Sequence, residues 1–291
     1  MRQLNRVLHS ALFSASLCFA GASHAQVTFG HLDNFQDGTT QGWGDGQGSG
    51  DNISTGGPAG AGDAYFAYTP FNKLVFFNQT TWVGNYLTAH VSRIEFDAAN
   101  FGDADTLHVR VAAFSEANFS RNAFATVQSV DLPPDHSWHH VAFDLSPGAM
   151  TVVGGSLDYN TLMSSVGQLR ILSAQLPSYQ GDFVQDTLAV DNVRALALPG
   201  DANFSNTVDT ADFTVLASHF NQTGKSWGDG DFNFDGVVNA LDFNALASNF
   251  GQGPMSDPPS PGTLVPEPST ILVIGAMAIG LLNRKRDPSV R

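Results

Sequence analysis

Asp231-Phe232-Asn233-Phe234-Asp235-Gly236-Val237-Val238-Asn239-Ala240-Leu241-Asp242 repeats the pattern of Asp201-Ala202-Asn203-Phe204-Ser205-Asn206-Thr207-Val208-Asp209-Thr210-Ala211-Asp212. Oxygen-bearing side chains fall at positions 1, 3, 5, 9 and 12 of both copies, and position 7 offers a backbone carbonyl. Calcium is a hard cation that takes about six to eight oxygens, and this spacing wraps one short loop around it. Position 6 needs a tight turn with positive φ. Gly236 suits it, and Asn206 tolerates that conformation best after glycine. Calcium is therefore the expected cofactor. Its expected ligands are Asp201, Asn203, Ser205, Thr207, Asp209 and Asp212 in one loop. In the other they are Asp231, Asn233, Asp235, Val237, Asn239 and Asp242.

Phe213, Leu216, Ala217 and Phe220 follow the first loop, and Phe243, Leu246, Ala247 and Phe250 follow the second. The i, i+3, i+4, i+7 spacing puts each set on one face of a short helix. Neither helix can bury that face alone, so the two copies are expected to pack on each other. Residues 199–252 resemble the type I dockerin family, EF-hand-like calcium modules that dock onto cohesin domains and join enzymes or adhesins to scaffolds. The resemblance implies calcium binding and a cohesin-type protein as partner. The positions where that family chooses its partner read Thr210-Ala211, Ala240-Leu241, Ala217-Ser218 and Ala247-Ser248, with no Lys or Arg in either helix. A calcium-stapled spacer is the alternative role.

The two ends address the chain. Arg2 and Arg6 precede an apolar run over 7–20, and Ser23-His24-Ala25 closes it, the pattern of a secretory signal peptide over residues 1–25. Cys18 is the only cysteine and lies inside that segment, so the mature chain is expected to be exported without disulfides. A Pro/Gly/Ser-rich linker over 253–264 leads to Val265-Pro266-Glu267-Pro268-Ser269-Thr270, an apolar run over 271–282, then Arg284-Lys285-Arg286. The run is expected to form a C-terminal hydrophobic transmembrane helix, with the basic cluster on the cytoplasmic side. Residues 265–288 resemble a PEP-CTERM sorting signal. That implies recognition by an exosortase at the inner membrane and release to the surface or extracellular matrix of a Gram-negative bacterium. A plain C-terminal anchor is the alternative.

Six of the 13 Lys and Arg residues, but only two of the 27 Asp and Glu residues, lie in those end segments. The remainder keeps 7 basic and 25 acidic residues, a net charge of −18. Such a chain is repelled by nucleic acid and by anionic membranes, so nucleic acid is excluded as a partner. Abundant Phe, Val, Leu and Ala argue for packed cores rather than disorder.

Residues 27–197 are long enough for one sizeable core. Strand-like stretches occur at 65–68, 74–77, 92–96, 107–114, 138–145, 168–174 and 187–195, between Gly-, Asn-, Asp- and Thr-rich turns. In one of them Leu107, Val109, Val111 and Ala113 face one way, while His108, Arg110 and Ala112 face the other. Short strands with little helix signal indicate a β-sandwich, a jelly roll. Leu32-Asp33-Asn34-Phe35-Gln36-Asp37-Gly38, Gln41-Gly42-Trp43, Gly62-Asp63, Trp138-His139-His140-Val141 and Val190-Asp191-Asn192-Val193 resemble jelly-roll domains of the carbohydrate-binding-module and laminin B type. There the first and last strands lie side by side and a structural calcium often joins them. The resemblance implies Asp33, Asp37, Asp63 and Asp191 as a second metal site.

Sugar-binding surfaces use aromatic platforms on a rigid sheet or its loops. Trp82 and Tyr86, in the polar stretch Asn78-Gln79-Thr80-Thr81-Trp82-Val83-Gly84-Asn85-Tyr86, are the expected ligand-binding aromatics; Trp43 and Trp138 are expected in the core. Only Glu95 and Glu116 remain once Glu267 is set aside. No Ser-His-Asp elbow, zinc-type cluster or phosphate loop stands out, which leaves catalysis open and unsupported. The expected fold is mainly β: a jelly-roll sandwich, a small all-α calcium pair, then the hydrophobic helix. The expected role is an exported, surface-sorted, non-catalytic protein that binds polysaccharide or matrix glycan. Two alternatives stay open: a polysaccharide-degrading hydrolase or lyase joined to an assembly by its dockerin, and a purely structural matrix protein.

Overall fold

The computed structural model describes residues 26–47, 49–116 and 120–252. The expected signal peptide, linker, sorting signal and C-terminal hydrophobic helix lie outside them. Among the described residues, no helix is long and apolar enough to cross a membrane.

Among the described residues, thirteen strands form two antiparallel sheets. The first sheet runs β10 (His139–Asp144), β6 (Arg93–Asn100), β13 (Leu188–Leu196), β4 (Tyr65–Tyr68) and β3 (Asp51–Ile53), with β1 (Leu32–Asp33) also paired to β13. The second runs β11 (Met150–Gly154), β8 (Asn122–Thr126), β7 (Leu107–Ser115), β12 (Gln168–Ser173), β5 (Val75–Asn78) and β2 (Trp43–Gly44), with β9 (Val130–Leu132) on β7. All seven stretches singled out by alternation are strands. Period-two patterning decides their faces. In β6, Ile94, Phe96 and Ala98 enter the core while Arg93, Glu95 and Asp97 point out. Leu107, Val109, Val111 and Ala113 of β7 lie in the same core. Each fully buried Phe, Leu or Ile there contributes about 1.5–3 kcal/mol.

First and last strands do lie side by side: Leu32 opposes Arg194 and Asp33 opposes Val193. Between Asp191 and Arg194 the β13–β6 register shifts, because Asp191 opposes Asp97 and Arg194 opposes Glu95. The extra residue is a bulge, with Asn192 at φ 53. It drops Val193 into the core and returns Arg194 to the outer face beside Glu95.

Asp33 is not at a metal corner. It is 4% exposed, and its Oδ2 accepts both the Trp43 indole N–H (2.7 Å) and the Trp82 indole N–H (2.6 Å). One carboxylate thus satisfies two core tryptophans that would otherwise carry unpaired donors. Trp43 is in the core as expected. Trp138 is not: it is half-buried, its ring 5.2 Å from Tyr65 and 5.7 Å from Phe101, its indole donating to Gly56 O.

The polypeptide passes from β13 through Ala197, Leu198, Pro199 and Gly200 straight into the first calcium-type loop. After the short helix α1 (Tyr159–Met163) within the sandwich, helix α2 (Thr210–His219) follows that loop, and α3 (Ala240–Asn249) follows the second, after a 3-10 turn at Trp227–Asp229. Val208, Leu216, Trp227, Phe232, Val238 and Leu246 form their core, which continues through Leu196, Ala197 and Leu198 of the sandwich. The helical stripes pack less completely than their spacing suggests. Leu216 and Leu246 are buried, but Phe213, Phe220, Phe243 and Phe250 stay 42–52% exposed. Trp227 and the two valines at loop position 8 occupy the space the phenylalanines were expected to fill.

Asp33→Ala is expected to strand two buried indole donors and lower stability by about 2–4 kcal/mol. Urea unfolding followed by tryptophan fluorescence measures it; Asp33→Asn, which keeps one acceptor, should lose less.

Candidate functional site

Position 6 of each calcium-type loop is left-handed as expected, with Asn206 at φ 62 and Gly236 at φ 80. Asp201 and Asp231 open the loops and are buried, 1% and 2% exposed. Asp201 accepts the Ser205 and Asn206 amides at 2.9 and 2.7 Å, and Asp231 Oδ2 accepts the Gly236 amide at 3.0 Å. Asp231 Oδ1 is buried with no hydrogen-bond partner. Asp212 and Asp242 close the loops, wholly buried. Asp212 takes the amides of Ala202, Asn203 and Asp209, and Asp242 those of Phe232 and Asn239. Position 9 serves the helices: Asp209 and Asn239 are N-caps, accepting from Ala211 and Leu241 at 2.7 Å. That occupies side chains the spacing assigned to the metal. In the first loop, Ser205 Oγ donates to Thr207 O; in the second, Asn233 Nδ2 donates to Asp235 and Asn239 Nδ2 to Val237 O.

Among the described residues no three Asp, Glu, His or Cys side chains converge as a metal cluster. Asn, Ser and backbone oxygens would have to complete each set. The electrostatics nevertheless fit a cation. Burial, with Asp212 nearby, raises the Asp201 pKa; burial, with Asp242 and Asp235 nearby, raises that of Asp231. Buried like charges and an orphaned carboxylate oxygen are what bound calcium would relieve.

The two copies brace each other crosswise. Val208 pairs with Gly251 and Gln252 after α3, and Val238 pairs with Asn221 and Gln222 after α2. Gly200, at φ 103, leaves no room for a Cβ, which would sit 2.8 Å from Leu246 Cα. Gly230, at φ 104, stands likewise 2.9 Å from Leu216 Cα. Aromatics at loop position 4 reach the sandwich. Phe29 lies 5.1 Å from Phe204, 5.2 Å from Trp227 and 6.1 Å from Phe234, and Phe204 also meets His90 at 5.1 Å.

The second metal set divides. Asp37 is exposed and caps its own turn through Thr39 and Gln41. Asp33 belongs to the indoles. Asp63 and Asp191 do share a corner: Gln36 donates to Asp63 at 2.6 Å, and Asp63 and Asp97 act on Asp191. Burial first, then those two charges, push the Asp191 carboxyl up to about 7. Asp97 is the member that the sequence pattern did not single out; it opposes Asp191 across β6–β13.

Trp82 and Tyr86 are not a ligand platform, since both are wholly buried. The Tyr86 hydroxyl donates to Trp82 O, and burial raises its pKa. Their polar surroundings in sequence belong to a turn organised by Asn78, whose Oδ1 accepts the amides of Thr80 and Thr81.

An aromatic surface lies instead on the outer face of the second sheet. Phe77, Arg170, Ala112 and Ala125 oppose one another in register across β5, β12, β7 and β8. The alanines keep the floor low, and Tyr179 packs over it. The Arg170 guanidinium lies 3.7 Å above the Phe114 ring, donates twice to Gln168 Oε1 and once to Tyr179 O, and is held down to about 10 by burial. The resulting groove of about 370 Å³ is edged by Asp45, Gln47, Lys73, Glu116 and Gln180. Exposed Phe183 stands nearby, with Lys73 over its ring. The outward alternation of Phe77 beside Phe76 and of Arg170 between Leu169 and Ile171 was the available sequence signal.

Residues 199–251 match the dockerin type I domain family. No curated protein matches the chain. Among solved structures, the chain is similar to a family 11 carbohydrate-binding module from Clostridium thermocellum, in complex with a β-1,3-1,4-mixed-linked tetrasaccharide. Identity is 16%, covering 58% of this chain and 97% of that one, with a TM-score of 0.38. It is also similar to a xylan-binding domain from Paenibacillus barcinonensis, at 12% identity over 59% and 98% of the two chains and a TM-score of 0.36. The sandwich rests on its own strand order.

Calorimetric titration is expected to count two calcium ions per chain, and one for Asp231→Asn. A carboxyl with a raised folded pKa stabilises below its unfolded pKa and loses that contribution as pH rises through the folded value, so ionised Asp231 costs stability at neutral pH. Asp231→Asn should therefore raise the unfolding midpoint in chelator and lower it in calcium. Gly230→Ala should lower both.

Proposed function

We propose that this protein binds carbohydrate through the groove over Phe77, Arg170 and Tyr179, and that its calcium pair joins it to an assembly. The observation that carries the reading is an arginine held in place by Phe114, Gln168 and Tyr179. It makes a preorganised floor, with side-chain hydrogen-bonding groups along its edge. The dockerin match over residues 199–251 supports attachment to a cohesin-type partner. The ligand would be a polysaccharide or matrix glycan, and the protein non-catalytic. A glycosidase needs a carboxyl with a raised pKa in its cleft. Burial pushes the Asp45 carboxyl up, but the Gln47 and Ser49 amides outweigh it and hold it below the usual value. Export, exosortase processing and surface sorting complete the proposal, supported by the motifs within residues 1–25 and 265–288.

Retention of the full chain on insoluble and immobilised polysaccharides tests the groove. Saturable binding to one glycan class, weakened about tenfold or more by Tyr179→Ala and Phe77→Ala, is the expected result. No retention on a broad panel rejects carbohydrate binding by this groove.

A further inference from the structure

A second cleft, of about 530 Å³, opens on the other side of the sandwich, between the outer face of the first sheet and the second calcium-type loop. Arg93, Glu95, His140 and Arg194 line it from the sheet, and Asn233 and Phe234 from the loop. We propose that this cleft binds a carboxylate-bearing sugar, a uronate, and that it does so when the second loop holds calcium.

Arg194 carries the inference. It is one of only seven Lys and Arg residues between positions 26 and 264. Arg93 pairs with Glu95 and Lys225 with Asp229; Arg194, like Lys73, Arg110, Arg121 and Arg170, has no ion pair among the described residues, and of these five it is the one that lines this cleft. The β13 bulge is what returns it to the outer face, and bulges re-aim side chains in this way. Its guanidinium lies 5.0 Å from the centre of the Phe234 ring. A guanidinium fork matches a carboxylate in two parallel hydrogen bonds, and an aromatic face takes the C–H side of a pyranose. Arg194 covers part of the Phe234 ring, and the 40% of that residue left exposed offers apolar surface to a pyranose. His140 pairs with Asp97 and Glu95, and Arg93 with Glu95, so on the sheet wall Arg194 is the cation not engaged by a carboxylate.

Calcium enters through the loop wall. Asn233 and Phe234 are positions 3 and 4 of the second loop, and Phe234 is held at φ 61, a conformation bulky residues rarely adopt. The buried Asp231, with its orphaned oxygen, sits at position 1 of the same loop. A cation held by Asp231 would fix the loop wall that carries Phe234 beneath Arg194, and a chelator would loosen it.

The test is calorimetric titration of the full chain with trigalacturonate, with its C6-reduced neutral trisaccharide, and with a short polyglutamate peptide. Each is run with calcium and with chelator. In calcium, trigalacturonate should bind about tenfold or more tightly than either alternative, and chelator should remove the difference. Arg194→Gln should abolish the preference, and Tyr179→Ala in the other groove should leave it intact. Equal binding of the acidic and neutral sugars, which needs no variant to read, overturns the proposal. So does polyglutamate binding as tightly, undiminished binding in chelator or in Arg194→Gln, or loss of the preference in Tyr179→Ala.

Discussion

The extra residue in β13 governs more of this molecule than any single contact. Strand β13 pairs with β6, β4 and β1, so a change of phase within it is felt by three neighbours. Before the bulge, Asp191 faces outward beside Asp97; after it, Val193 fills the core against β1 and Arg194 faces outward beside Glu95. With strict alternation, Val193 would lie on the surface and Arg194 in the core, a burial no isolated guanidinium survives without partners. The bulge also sets the phase in which Leu196, Ala197 and Leu198 arrive beneath the helical pair.

Charge is handled differently in the two halves of the described structure. In the sandwich, two buried charges are answered locally. Asp33 serves two indoles, and Arg110, 4% exposed, donates to the carbonyls of Ala174, Thr126, Val127 and Gln175. In the calcium pair the answer is incomplete, since Asp201 and Asp231 are buried beside further carboxylates and one oxygen lacks any partner. These two ways of balancing charge meet at one hydrophobic joint, at Phe29, Phe204 and Trp227.

The calcium pair was legible because its pattern is local: twelve residues fix each loop, and Asn206 and Gly236 sit at the left-handed turn their chemistry suits. Long alternating strands were legible for the same reason. What the sequence concealed depends on pairing between distant segments. Nothing near Trp82 reveals that Asp33, 49 positions earlier, takes its indole proton, so a polar neighbourhood suggested exposure where there is none. The groove residues were hidden because Arg170 and Phe77 gain meaning only when β12 and β5 are neighbours. Asp209 and Asn239 were assigned to metal because capping residues and loop ligands draw on the same amino acids.

Only Ala197, Leu198, Pro199 and Gly200 separate the end of β13 from the first loop, and three of the four are buried. A tether this short makes the sandwich and the calcium pair mechanically continuous. Tension applied through the helical pair would enter an interior strand along its length, loading the β6 and β4 ladders in shear, with many hydrogen bonds strained together instead of unzipped in turn. An anchoring module mounted in this way would hold its sandwich in place under flow.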